Sequence, residues 1–178
     1  SREGLGDGLF AGWRYRPGSE RDPDPDFVLN QDAYRGASIL AAGPNFGCGS
    51  SREHAVWALA EFGFRVILAP SYGAIFERNC VNNGVLPVTL AADRIERLLR
   101  PTQADPQGRP LTVDLERGAI RAPDGTEVEF TMAEPQRTML LEGLDPVDVT
   151  LRSAKEIENF EQEDRKRRPW AYRWRGAG

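Results

Sequence analysis

Gly43-Pro44-Asn45-Phe46-Gly47-Cys48-Gly49-Ser50-Ser51-Arg52-Glu53-His54 follows the short apolar run 37–42 and precedes an amphipathic segment. An apolar run, a glycine-rich turn and a helical pattern in that order read as a strand, a loop and a helix. Such a junction is a natural anion site. Gly43, Gly47 and Gly49 let the backbone approach a ligand closely, the first helical turn presents unpaired N–H groups, and the macrodipole adds partial positive charge there. Arg52 supplies a forked, permanently charged donor suited to carboxylate or phosphate, beside the hydroxyls of Ser50 and Ser51. The Ser50–Glu53 spacing also matches a capping box, in which serine and glutamate satisfy backbone N–H groups reciprocally. Spacing leaves both readings open, although a cation such as Arg52 at a helix N-terminus opposes the dipole and favours a ligand anion nearby.

Outward from this junction, elements alternate. The run 37–42 is a buried strand, and the helix after the serine pair places Ala55, Ala58, Leu59 and Phe62 on one face and stops near Gly63. Residues 65–69 form a second strand. Pro70-Ser71 opens a second helix with Tyr72, Ile75, Phe76, Asn79 and Cys80 in one stripe, ending at Gly84. Residues 86–90 form a third strand, and 91–100 a helix with Ile95, Leu98 and Leu99 inward. This alternation predicts parallel strands with crossover helices. The period then changes to two: Leu111, Val113 and Leu115, and later Val128, Phe130 and Met132, alternate with polar residues around an Asp124-Gly125 turn, as in an antiparallel meander. Residues 136–144 read as a helix closed by Gly143, 147–151 as another alternating strand, and Ser153 with Glu156 as the capping box of a last helix. The basic run 165–168 reads as a solvated tail. Ahead of the core, residues 1–16 form a glycine- and aromatic-rich loop, and 17–26 a proline-stiffened acidic connection.

The 178 residues suffice for one domain with a real core, and 40% hydrophobic with 28% charged residues is ordinary for a globular protein. A net charge of -4 gives nucleic acid no support as a partner, and no apolar run is long enough to span a bilayer, so a cytoplasmic protein without membrane contact is expected. Cys48 and Cys80 are the two cysteines. An iron–sulfur cluster usually takes three or four thiolates, so this chain is not expected to bind one, or any other cofactor or metal.

At 45–55, Asn-Phe-Gly-Cys-Gly-Ser-Ser-Arg-Glu-His-Ala, the sequence strongly resembles the small subunit of 3-isopropylmalate dehydratase (isopropylmalate isomerase), the swivelling domain of the aconitase superfamily. The similarity continues in order through Gly-Asp-Gly-Leu-Phe-Ala-Gly-Trp-Arg (6–14), Asp-Phe-Val-Leu-Asn (26–30), Trp-Ala-Leu (57–59), Tyr-Gly-Ala-Ile-Phe (72–76), Asn-Gly-Val-Leu-Pro (83–87) and Leu-Glu-Gly-Leu-Asp (141–145). The resemblance implies an α/β fold, a swivelling β/β/α domain with a mixed sheet, crossover helices and a meander. It covers 1–178 as a single domain, with 1–26 as loop and connection, 27–151 as core and 152–178 as C-terminal helix and tail.

The resemblance further implies a partner, the large subunit of the dehydratase, which holds a [4Fe-4S] cluster through its own cysteines. Together they would act as a hydro-lyase, inactive as separate chains, interconverting 2- and 3-isopropylmalate through isopropylmaleate in leucine biosynthesis. By similarity Ser50 is the catalytic base, acting as an alkoxide, with Gly49, Ser51 and Arg52 binding substrate carboxylate and Arg2 a second carboxylate contact. Leu5 and Phe10 are placed near the isopropyl group. Cys48, at the helix start, is the rival nucleophile, but the implied reaction needs no thiol, and the single histidine, His54, reads as a packing residue. Related dehydratase subunits acting on homocitrate or citramalate, and a non-catalytic anion-binding module, are the alternatives. The family has a further segment, with a Val-Asp-Thr-Asp-like stretch, ahead of the glycine-aromatic loop. With Ser1 first, an incomplete N-terminus is expected.

Overall fold

The computed structural model describes residues 4–49 and 52–176. The chain divides into two compact units, Ser1–Gly143 and Leu144–Gly178. In the first, strands β1 (Ile39–Ala41), β2 (Val66–Ala69) and β3 (Leu86–Thr89) form a parallel sheet in sequential order, with Ile39 opposite Val66 and Val66 opposite Leu86. After a short N-terminal turn of helix, α1 (Ala11–Arg14), the crossovers are α2 (His54–Phe62) and α3 (Ala74–Asn82). Parallel strands need such crossovers because their ends lie at opposite edges of the sheet.

The central strand explains the two-sided core. All four residues of β2 are buried, and successive side chains point to opposite faces. Ile67 packs with Val56, Leu59, Phe64, Phe76, Cys80 and Val85 under α2 and α3. Val66 and Leu68 face the other way, packing with Leu86, Val88, Ile95, Leu98, Ile120, Val128 and Phe130. That second layer comprises α4 (Ala92–Leu99) and the antiparallel meander β4 (Thr112–Asp114), β5 (Ala119–Arg121), β6 (Glu127–Glu129). Pro87 is tolerated within β3 because β3 is an edge strand. The Asp124-Gly125 turn forms as expected: Gly125 takes φ 90° and Asp124 Oδ1 accepts the Thr126 N–H at 2.9 Å. Helix α5 (Glu134–Glu142) ends at Gly143, whose left-handed φ of 64° lets its N–H reach the Met139 carbonyl.

Several local expectations are corrected. Residues 147–151 are helical, within α6 (Pro146–Arg152). Asp145 caps this helix by accepting the Val147 and Asp148 N–H groups, Asp148 completes the box, and Pro146 occupies the first turn. These start signals outweigh the alternation of Val147, Val149 and Leu151. Ser153 makes no side-chain cap for α7 (Ala154–Arg167). It also closes α6, its N–H bonding the Thr150 carbonyl at 3.0 Å, and its φ/ψ of -95°/17° is not the extended geometry of an N-cap. The basic run is no tail: Arg165 to Arg167 end α7, and Arg168 grips Asp164 through two 2.7 Å bonds. Asp164 also accepts from the Tyr172 hydroxyl at 2.9 Å, and the Arg168 bonds, ahead of all other influences, hold its carboxyl below the usual range.

Helix α3 begins at Ala74, not at Ser71, so Tyr72 precedes it, and Ile75 is half exposed instead of joining the buried stripe of Phe76, Asn79 and Cys80. Ser71 and Tyr72 have another use.

Candidate functional site

The loop after β1 is held by the segment after β2. Phe46 donates its N–H to the Ser71 carbonyl at 3.0 Å and accepts the Gly73 N–H at 2.9 Å, a parallel bridge that extends the sheet by one pair. The Ser71 hydroxyl accepts the Asn45 N–H at 2.8 Å and donates to Asn45 Oδ1 at 3.2 Å. Asn45 itself is left-handed, with φ 58°, a conformation its short polar side chain tolerates.

Two glycines are required by close approach. At Gly47, with φ 75°, a Cβ would stand 2.1 Å from Phe76 Cγ. At Gly73 it would stand 2.9 Å from the Cys48 Cα. The Phe46 ring meets Phe76 edge-on at 5.4 Å, and Tyr72 stacks on Phe76 at 6.4 Å. Tyr72 anchors this layer to the sheet, its hydroxyl lying 2.7 Å from the Ile67 carbonyl and 3.0 Å from that of Val88. Burial, foremost, raises its phenol pKa far above the usual value, so it remains a donor. The glycine-rich loop therefore sits on a rigid aromatic floor.

Beyond it, α2 starts at His54, with Glu53 as its N-cap. There Glu53 Oε1 accepts from Asn83 Nδ2 at 3.2 Å. Asn83 also donates to the Asn79 carbonyl at 2.8 Å and accepts from Trp57 Nε1 at 2.8 Å, tying the start of α2 to the end of α3. The His54 ring lies 4.9 Å from that of Trp57. Arg52, Glu53, His54, Trp57, Ile75, Arg78, Asn79 and Asn82 line an open depression of about 490 Å³. Small-ligand sites span roughly 300–1,000 Å³. The guanidinium groups of Arg52 and Arg78 and the carboxylate of Glu53 are its charged lining.

Gly49 is exposed at the end of the loop and Arg52 at the depression. Ser50, Ser51 and Arg2 lie outside the described residues. Leu5 and Phe10 are half-buried, and Phe10 packs against the core under α2. Cys48 is exposed, whereas Cys80 has no exposed surface and burial pushes its thiol pKa up to about 12. Iodoacetamide is therefore expected to label Cys48 in the native protein and Cys80 only after unfolding. Peptide mass spectrometry before and after urea checks this, and equal labelling of both in native protein would contradict the packing. Among the described residues, no three His, Cys, Asp or Glu are grouped as metal ligands, and no helix is long and apolar enough to cross a membrane.

The sequence reading missed the Asn45–Ser71 lock, the Phe76 floor and the Asn83 bracket. Pro70-Ser71 resembles a helix start, and nothing local reveals that the serine is committed to a loop 26 positions earlier.

The aconitase C-terminal domain family matches residues 1–93. A 3-isopropylmalate dehydratase small subunit from Cupriavidus necator is 57% identical over 172 residues, covering 97% of this chain and 83% of the relative. The small subunit from Methylibium petroleiphilum is 49% identical over 176 residues, covering 95% and 81%. Among solved structures, 3-isopropylmalate dehydratase from Methanocaldococcus jannaschii matches with a TM-score of 0.51 and 30% identity, covering 69% of this chain and 68% of that one. Relatives this similar, running along nearly the whole chain, place it plainly: the chain belongs to the family of 3-isopropylmalate dehydratase small subunits, built on the aconitase C-terminal domain.

Proposed function

We propose that this chain is the small subunit of a two-component hydro-lyase that interconverts 2- and 3-isopropylmalate through isopropylmaleate in leucine biosynthesis. The observation that carries the reading is the glycine-rich loop, locked on Ser71–Gly73 and Phe76 and preceding in the chain a nine-residue helix, with Arg52 at the open depression.

The reaction removes a proton from carbon beside a carboxylate and a hydroxyl from the neighbouring carbon, then returns water in the opposite sense. Ser50 is assigned the proton transfer at its Oγ. A serine hydroxyl does not ionise unaided, and its oxyanion is stabilised here by the N–H groups that a helix start leaves unpaired and by the Arg52 guanidinium. Gly49, Ser51 and Arg52 are assigned to one substrate carboxylate, and Arg2 to a second. The [4Fe-4S] cluster belongs to the large subunit in this reading and supplies Lewis acidity there. No residue of this chain is assigned to it: Cys48 and Cys80 are one exposed and one buried thiol, with no third ligand grouped beside them among the described residues. The open side of the depression is where a large subunit would complete the wall.

Mixing the chain with its cognate large subunit and following isopropylmaleate absorbance tests this. Turnover with isopropylmalate, at a higher kcat/KM than with homocitrate or citramalate, is the expected result. An intact, cluster-loaded complex without that turnover would falsify the assignment. Within it, Arg52→Lys keeps the charge but loses the fork, and is expected to raise KM about 10-fold, since a charged hydrogen bond contributes about 1.5–3 kcal/mol. Steady-state kinetics on the complex reads this, and an unchanged KM would remove Arg52 from the carboxylate contact.

A further inference from the structure

Asn79 is a polar side chain that the packing of α3 buries without serving. It is 6% exposed, yet among the described residues no hydrogen bond reaches its side-chain amide; only its backbone carbonyl is used, by Asn83. A buried amide in that condition forfeits the hydrogen bonds it would make in water, and folded proteins nearly always give such a group a partner. The Asn79 side chain lines the open depression at the start of α2, so a partner can reach it there.

The rest of that lining says what the partner is. Ile75, Arg78, Asn79 and Asn82 fall at spacings of three and four and form one face of α3. Arg78 is exposed and, among the described residues, enters no ion pair or hydrogen bond. With Arg52 it sets two guanidinium groups against one carboxylate, and that carboxylate, on Glu53, gives Oε1 to Asn83. The charged lining therefore keeps a net positive sign. The Trp57 N–H is also given to Asn83, which leaves its ring as apolar wall, and Ile75, half exposed, adds more. A guanidinium fork, an amide with two donor hydrogens and apolar walls suit an organic acid better than a bare inorganic anion or a metal cation.

We propose that Arg78 and Asn79 are substrate-binding residues: the Arg78 fork and the Asn79 amide hold a carboxylate of the branched dicarboxylate that Arg52 also contacts. The proposal rests on the dehydratase reading, which places Arg52 on substrate, and it adds α3 to the site as a second recognition element. A guanidinium stays charged and an amide stays neutral, so neither group exchanges a proton with substrate and the loss of either acts on binding.

The test uses the two-subunit complex at saturating large subunit. Arg78→Gln removes the charge from an exposed position, and Asn79→Leu replaces the amide by an apolar group of the same branching. Each is expected to raise KM for isopropylmalate about 10-fold, with kcat within about 3-fold of wild type and the affinity between the subunits unchanged. An unchanged KM in either variant removes that residue from the site, and unchanged values in both overturn the proposal. Weaker subunit affinity with a normal KM at saturation also overturns it, since the depression would then be a seat for the large subunit. Should Asn79→Leu fail to fold, Asn79→Ala removes the amide without adding bulk and supplies the same readout. A wild-type complex inactive on isopropylmalate defeats the dehydratase reading instead. Calorimetric titration of the complex with 2-isopropylmalate then decides the depression: weaker binding in both variants than in wild type sustains a carboxylate site, and equal heats, or none, remove it.

Discussion

Ser50→Ala is expected to leave the chain folded and able to join its large subunit while lowering kcat by about a thousand-fold or more. A positioned general base contributes roughly 10²–10⁴-fold, and alanine offers no second group to take the proton. KM should move little if Ser51, Gly49 and Arg52 still hold the carboxylate. Gel filtration of the mixed subunits, together with isopropylmaleate absorbance, gives both readings. The opposite pattern, a destabilised chain with normal activity per folded molecule, is what a helix-capping serine would produce. Glu53 Oε1 accepts from Asn83 Nδ2 at 3.2 Å, so a capping box would have to share that carboxylate.

Gly47→Ala is expected to be among the most damaging single-methyl additions in the molecule. The new Cβ would lie 2.1 Å from Phe76 Cγ, and Phe76 is 2% exposed at the centre of the α2/α3 core, with no solvent to yield into. Overpacking of this kind costs about 1–3 kcal/mol, and a left-handed φ of 75° adds about 1–2 kcal/mol for a residue with a Cβ. The sum, about 2–5 kcal/mol, is a large share of the roughly 5–15 kcal/mol that stabilises a typical domain. Urea unfolding measures it. Phe76→Ala removes the obstructing ring at its own cavity cost, so the double variant should be less destabilised than the sum of the two singles by about 1 kcal/mol or more. Strict additivity would show that Gly47 and Phe76 do not compete for the same space. Turnover of Gly47→Ala should fall as well, because the loop ahead of Ser50 cannot keep its seat on the aromatic floor.

The alternation of strands and helices through β3 and α4 was legible because burial imposes a period on the residues that experience it. In β2, Val66 and Leu68 face one layer and Ile67 the other, and four consecutive apolar residues announce a strand covered on both sides. The meander was legible for the same reason. Residues 147–151 were misread because Val147, Val149 and Leu151 alternate without being buried. With 62% of Val147 and Leu151 exposed, no sheet face rewards the pattern, and the Asp145 box with Pro146 prevails.

The site divides along the same line. The chemistry proposed for it is written in adjacent residues: glycines, a pair of hydroxyls, a guanidinium and the start of a helix, all within the run 43–54. Local order along the chain is enough for this, since an anion site at a strand-to-helix junction needs only neighbouring backbone and side chains. What holds that run in place comes from afar. Ser71 and Gly73 dock it, Phe76 demands a glycine above it, and Asn83 brackets the helix that leaves it. Those partners lie 26 to 30 positions away in the chain, and no periodicity encodes them. They become neighbours because parallel strands with crossover helices return successive loops to the same edge of the sheet.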